Sequence, residues 1–208
     1  MPIDIHILNS TGILDQELSE IRSAFMTVKL KAEEFLQLEN ADIVVSHNPP
    51  NAIKELGVGG YTDSVNSTIY ISLDKHKRAS LPAIVACMHH ELYHLRRHQL
   101  LGVPITLQER AIDEGLACLY EFEVTGKIPI YARQKVAIKD IKEFSRHLKD
   151  KRDTNKWFFG ETGIQKWLGY SLGFNLVNNY SQHYHTSAPE ILRIKSTTIY
   201  RESSSLPG

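Results

Sequence analysis

The stretch LPAIVACMHHELYHLRRHQLL, residues 81–101, is the most informative part of this sequence. Its apolar residues recur at helical spacing, and Pro82 stands in the first turn, where a missing backbone N–H costs little. The stretch therefore predicts one helix over Leu81–Leu101. Within that helix His90 and His94 are four residues apart, which places both imidazoles on the same side.

The pattern His-Glu-x-x-His at residues 90–94 indicates a metal site. Two imidazoles one helical turn apart can bind one Zn²⁺ at about 2.0–2.1 Å. Glu91 follows the first histidine and is placed to act as a base toward the attacking water without binding the metal. The alternative is that His90 and His94 are ordinary helix residues in a histidine-rich patch.

A third ligand stands in a suitable place. A catalytic zinc usually has three protein ligands and one open position. Twenty residues after His94, Glu114 lies in the sequence Asp-Glu-Gly-Leu-Ala, inside a predicted second helix that a short turn brings back alongside the first. Gly115 would permit close approach of helices there. The alternative for Glu114 is a solvated carboxylate, which is also the interpretation given to Glu109 and Glu121.

The residue pattern of the N-terminal third predicts a small sheet with one covering helix. Alternating apolar residues predict strands at 2–8, 41–46 and 68–73, a glycine-rich extended segment at 57–62, and a helix over about 14–38. From residue 81 onward the pattern is helical. Besides Leu81–Leu101, it predicts helices over about 107–124, 132–149 and 164–180 and a short one from Ser187.

These elements predict an α+β fold, with a small N-terminal β-sheet and its covering helix followed by a mainly helical half that carries the active-site helix. We expect one domain over residues 1–201, with a sheet-containing part at 1–78 and a helical part at 79–201. The polar tail at 202–208 is expected to be flexible.

Composition excludes several classes of protein. The 208 residues carry 24 basic and 24 acidic side chains, so a strongly basic nucleic-acid binder and an acidic disordered chain are both disfavoured. No window holds 18 uninterrupted apolar residues, so no membrane partner is expected. The first residues lack the pattern of a secretory signal, which predicts a cytoplasmic protein with Cys87 and Cys118 as buried free thiols.

Several motifs together resemble a known family. The segment Gly57-Val-Gly-Gly-Tyr-Thr62, the strand at 68–74, the His-Glu-x-x-His motif and Asp113-Glu-Gly-Leu-Ala117 are similar to an uncharacterised family of predicted zinc-dependent proteases of the gluzincin type. Trp167-Leu-Gly-Tyr-Ser-Leu-Gly173 resembles the family's C-terminal helix motif. The similarity runs from about residue 57 to residue 191.

The resemblance implies a zincin-like metallopeptidase domain with one Zn²⁺ per chain. It implies His90, His94 and Glu114 as metal ligands and Glu91 as the general base. Tyr170 would be a hydrogen-bond donor to the developing oxyanion, with a packed aromatic residue as the alternative.

Two details qualify the implied site. Tyr61 is a second candidate for the oxyanion donor. Many gluzincins have an aspartate four residues after the glutamate ligand to orient the first histidine, whereas this chain has Cys118. Orientation would then come from Asp113 or a backbone carbonyl.

The remaining histidines have less defined roles. His98 is either a solvated neighbour of Arg96 and Arg97 on an exposed face or a ligand in a different arrangement. His89 lies on the opposite flank from the ligand pair.

The leading hypothesis is a zinc-dependent hydrolase that cleaves peptide bonds, with a peptide or protein substrate bound along an edge strand near Gly57–Thr62. One alternative is a zinc-stabilised but inactive binding or regulatory module that uses the basic segment 132–156 as its interaction face. Another is hydrolysis of a non-peptide amide. The sequence leaves substrate preference and oligomeric state open.

Overall fold

The computed structural model describes residues 3–205 and divides the chain into two compact units, Met1–Leu100 and Leu101–Gly208. The first unit contains a sheet and two helices, and the second is helical. The predicted α+β fold is confirmed. The division falls at the end of the helix that carries the histidines, whereas the sequence placed the change from sheet to helical part at residue 79. The single domain over 1–201 stays a prediction.

Among the described residues, the first unit has four strands and two α-helices. They are β1 (Ile3–Leu8), α1 (Leu18–Phe35), β2 (Ala41–His47), β3 (Val58–Asp63), β4 (Thr68–Leu73) and α2 (Leu81–Leu101). Helix α2 has the predicted bounds. The other elements match the predicted ones to within a few residues at their ends, which is the usual precision of element boundaries.

The sheet has the strand order β1-β2-β4-β3. Strands β1, β2 and β4 run parallel, and α1 provides the crossover connection that parallel neighbours require. Strand β3 pairs antiparallel with β4 and forms one edge of the sheet. Because successive side chains alternate between faces, the buried Ile43, Val45, Ile69 and Ile71 share one face.

The second unit has five α-helices among the described residues. They are α3 (Leu107–Thr125), α4 (Ile138–Arg146), α5 (Asn155–Phe159), α6 (Leu168–Tyr184) and α7 (Ser196–Ser205). A buried cluster packs several of them together. Its members are Leu107, Ala111, Phe144, Trp157, Phe158, Leu168 and Leu172.

Helices α3 and α6 cross with their backbones in close approach. A Cβ atom added to Gly115 would lie 2.3 Å from the carbonyl carbon of Gly173, and one added to Gly173 would lie 1.9 Å from the carbonyl oxygen of Ala111. Both distances are far below van der Waals contact, so glycine is required at both positions. The close approach at Gly115 is made to α6, whereas the sequence analysis expected it to serve the packing against the helix of the His-Glu-x-x-His motif.

The C-terminal helices differ from those predicted. The helix predicted over 132–149 is limited to Ile138–Arg146, and α5 follows as a separate short helix. The helix predicted from Ile164 begins at Leu168, because Ile164 instead pairs with Glu161 in a β-bridge.

The last helix also differs from its prediction. It begins at Ser196 rather than Ser187. It continues to Ser205 with Ser203 buried, and the flexibility of the tail at 202–208 stays a prediction. The rest of the tail, 206–208, lies outside the described residues. Across residues 3–205, no helix has both the length and the apolar character needed to cross a membrane.

Candidate metal centre

The two histidines of the His-Glu-x-x-His motif face each other on α2. Their Nε2 atoms are 3.1 Å apart, and both side chains are buried, with 6% of each residue exposed. Two nitrogen ligands of a tetrahedral zinc, each about 2.0–2.1 Å from the ion, are separated by about 3.3 Å. The observed separation is close to that value, so the pair fits a zinc ion.

The described residues include two groups of side chains that could hold a metal ion. One is His90 with His94 and Glu114, and the other is His94 with His98 and Asp113. Both groups contain imidazole and carboxylate donors, the ligand types that suit zinc. His94 belongs to both groups.

Glu91 lies beside strand β3, which contacts its carboxylate at two residues. The hydroxyl of Thr62 donates to Glu91 Oε2 at 2.7 Å. On the same face of the strand, a Cβ atom at Gly60 would lie 2.5 Å from Glu91 Oε1. The glycine therefore leaves the space that the carboxylate occupies. Glu91 is 8% exposed and is held next to the histidine pair by its position in α2.

The outer edge of β3 presents backbone groups next to Glu91. The carbonyl of Val58 accepts a hydrogen bond from the N–H of Ile53 on the side away from β4. Because backbone groups alternate along a strand, the N–H and C=O groups of Gly60 and Thr62 also point to that outer side. Gly60 is exposed to solvent.

Helix α3 carries the acidic pair in the second unit. Asp113 is buried and Glu114 is half-buried, so neither is the fully solvated carboxylate of the alternative interpretation. Burial, and after it the negative charges of Glu121 and Glu114, raise the pKa of the Cys118 thiol well above its usual range. Cys118 is therefore a neutral thiol and cannot replace the charge of an orienting aspartate.

The two tyrosine candidates lie in different environments. Tyr170 is half-buried, and its ring packs against Phe158 and Tyr131 at centroid distances of 5.2 and 5.0 Å. Tyr61 is 65% exposed. It lies between Gly60 and Thr62, so its ring projects from the sheet face opposite to Glu91. Tyr61 is therefore not suited to the oxyanion role.

The other α2 residues that the sequence analysis discussed are largely buried. His89 is fully buried, and burial, with the charge of Lys31 as a smaller cause, lowers its pKa to about 3, so its imidazole is neutral. Arg97 is 2% exposed, so the face of α2 near His98 is not the exposed face that the sequence predicted. His98 is half-buried, with its ring 5.4 Å from that of His94.

The two carboxylates that the sequence analysis interpreted as solvated both accept hydrogen bonds within the protein. Glu109 accepts from backbone N–H groups at the start of α3, and Glu121 is buried and accepts from the hydroxyl of Tyr131. Neither is a simple solvated carboxylate.

Sequence reasoning did not single out Thr62 as a partner of Glu91. The sequence does show that Thr62 follows Gly60 by two residues in an extended segment, and this spacing places both residues on the same face of a strand. The identity of the helix residue that this face contacts could not be read from the spacing.

The chain matches the model of a known family. The family model described as "Predicted Zn-dependent protease (DUF2268)" matches residues 23–201. The chain belongs to this family. The match includes the His-Glu-x-x-His motif, the Asp-Glu-Gly-Leu-Ala segment and strand β3. No significant match was found among curated proteins or among solved structures. Membership supports a zinc-dependent protease at the level of the family.

Proposed function

We propose that this protein is a zinc metallopeptidase in which His90, His94 and Glu114 bind one Zn²⁺ per chain and Glu91 is the general base. The observation that carries the proposal is the buried pair of Nε2 atoms 3.1 Å apart, with Glu91 on the same helix beside an exposed strand edge. Family membership over residues 23–201 supports the same chemistry.

The choice of Glu114 as third ligand rests on its membership of one of the two candidate metal groups and on its half-buried position in α3. A bound zinc would lower the pKa of a water molecule and polarise the carbonyl of the substrate. Glu91 would accept the proton of the attacking water and transfer it to the leaving amine. Tyr170 remains the candidate donor to the oxyanion.

The substrate would be a peptide segment that pairs with the outer edge of β3. The outward N–H and C=O groups of Gly60 and Thr62 supply the hydrogen bonds of a strand addition, as in other modes of extended peptide recognition. Such a peptide would pass close to Glu91, whose carboxylate contacts the same two residues. The absence of nucleic-acid and membrane partners and a cytoplasmic location stay predictions.

The substitution Glu91→Gln tests the mechanism. Glutamine keeps the shape of the side chain but cannot accept the proton, so we expect zinc content to remain unchanged and turnover of a peptide library to fall below detection. Glu34→Gln, on the exposed face of α1, is the matched control and is expected to leave both unchanged. A Glu91→Gln protein with wild-type turnover would contradict the mechanism.

One observation favours a second candidate function. The buried thiol of Cys118 stands where the resemblance expects a charged aspartate, so the site could hold zinc without catalysis. In that case the protein would be a zinc-stabilised binding or regulatory module. It would melt at a lower temperature after zinc removal, and the wild-type chain would cleave no member of a peptide library.

A further inference from the structure

We propose that Thr62 is a positioning residue that holds the Glu91 carboxylate by Oε2 and leaves Oε1 as the oxygen that exchanges the proton. This inference rests on the proposed function, because it assigns separate roles to the two oxygens of the general base. It concerns only residues of β3 and α2 within the first unit.

The hydroxyl of Thr62 has two acceptors within reach. Its Oγ1 atom is 2.7 Å from Glu91 Oε2 and 3.0 Å from the backbone carbonyl oxygen of Glu91. A threonine hydroxyl has a single proton, and the ionised carboxylate is both the closer and the stronger acceptor. The proton of Thr62 is therefore directed to Oε2.

The other carboxylate oxygen lies against Gly60. A Cβ atom at this position would be 2.5 Å from Oε1 and 2.4 Å from Cγ of Glu91, so any other residue would displace the side chain. Gly60 is exposed, and its backbone groups point to the outer side of β3. Oε1 thus lies against Gly60 and has no side-chain hydroxyl of β3 within the contacts described, whereas Oε2 is held by Thr62.

This arrangement connects substrate binding with the position of the base. Gly60 and Thr62 would supply hydrogen bonds to the substrate backbone, and the side-chain faces of the same two residues determine where Glu91 lies. Without the hydroxyl, the long Glu91 side chain could rotate away from the attacking water. A displacement of about 1 Å can lower turnover by roughly 100-fold.

Kinetics of three variants test the role of the hydroxyl. Thr62→Val removes the hydroxyl at nearly constant volume, and we expect kcat to fall about 10- to 100-fold with KM changed less than about twofold. Thr62→Ser restores the hydroxyl and is expected to recover most of kcat. Zinc content should stay the same in both variants. An unchanged kcat in Thr62→Val, or a loss that serine does not recover, would overturn the proposal.

A matched control is available in the neighbouring strand. The hydroxyl of Thr68 in β4 donates to the backbone carbonyl of Asn66, and Thr68 projects from the sheet face opposite to Glu91. Thr68→Val therefore removes a threonine hydroxyl from the same sheet without touching the base. We expect its kcat to differ from wild type by less than about twofold.

A double-mutant cycle gives a readout that does not depend on activity. Unfolding by urea is measured for wild type, Thr62→Val, Glu91→Ala and the double variant, all as full-length protein with equal excess zinc. We expect the two substitutions to be non-additive by about tenfold in the unfolding equilibrium constant, since the hydrogen bond has a charged acceptor. Thr68→Val with Glu91→Ala should be additive.

The outcomes separate this inference from the proposed function. Additive effects of Thr62→Val and Glu91→Ala would overturn the positioning role even if the wild-type protein is an active peptidase. Non-additive effects in a protein that binds zinc but cleaves no peptide would show the contact while rejecting the catalytic role of both residues.

Discussion

At the scale of single residues, Gly60 shows that a side chain distant in sequence can require glycine at a position in a strand. No turn requires glycine there, because Gly60 is in the middle of strand β3. The requirement comes from Glu91, whose carboxylate fills the space that a Cβ atom would occupy. The sequence indicated an extended glycine-rich segment but could not tell which glycine faces the motif helix.

The substitution Gly60→Ala is therefore expected to impair the base selectively. The added methyl group must push the Glu91 carboxylate away, so kcat should fall by roughly 100-fold while zinc content stays near that of wild type. Peptide turnover and elemental analysis of the purified variant would measure both. Val65→Ala, at a 90% exposed position in the turn after β3, is the control. Wild-type kcat in Gly60→Ala would show that Glu91 is placed differently.

At the scale of elements, the N-terminus of α3 has a capping box that positions the helix carrying Asp113 and Glu114. The hydroxyl of Thr106 accepts from the N–H of Glu109 at 3.2 Å, and Glu109 Oε2 accepts from the N–H groups of Thr106 and Ile105 at 3.0 Å. The sequence Thr-Leu-Gln-Glu carries the signature of this motif. Glu109 is therefore not the solvated carboxylate expected from the sequence.

The capping box predicts a pH-dependent stability. The N–H of Thr106, and after it that of Ile105, holds the pKa of Glu109 below its usual value. A carboxylate with a lowered pKa in the folded state stabilises the protein above its unfolded-state pKa of about 4.3, and this contribution is lost as the pH falls through the folded-state pKa. Glutamine can still accept the hydrogen bond but lacks the charge, so Glu109→Gln should reduce the free energy of unfolding at pH 7 by about 0.5 kcal/mol.

Urea unfolding at neutral and acidic pH would measure this effect. The difference between wild type and Glu109→Gln should shrink as the pH falls below about 4.3 and through the lowered folded-state pKa, where the wild-type carboxylate also becomes protonated. Glu34→Gln should show no difference at either pH. A Glu109→Gln effect of the same size at both pH values would mean that the charge of Glu109 contributes nothing to the cap.

The sequence predicted some elements better than others for physical reasons. Helix α2 has strong apolar periodicity and well-defined ends, and its predicted bounds match. Helix α6 begins later than predicted because Gly160 and Gly163, both at positive φ, form a turn in which Ile164 pairs with Glu161. Periodicity alone cannot show that an apolar residue such as Ile164 belongs to a bridge instead of a helix.

At the scale of the whole molecule, spacing within one helix could be predicted, and contacts between elements could not. The pair His90 and His94 followed directly from helical geometry. The contact between Gly115 and Gly173, and the one between Thr62 and Glu91, join residues far apart in sequence and needed the three-dimensional structure. The strand order β1-β2-β4-β3 was likewise not contained in the alternation pattern.

The central claim is that His90, His94 and Glu114 bind one zinc ion. The most direct measurement is the zinc content of the purified, zinc-reconstituted protein by elemental mass spectrometry, for wild type and for His94→Ala, Glu114→Ala and His98→Ala. We predict about one zinc per chain in wild type and in His98→Ala, and loss or marked weakening in the other two. Wild-type protein without zinc, or a site that requires His98 but not Glu114, would contradict the claim.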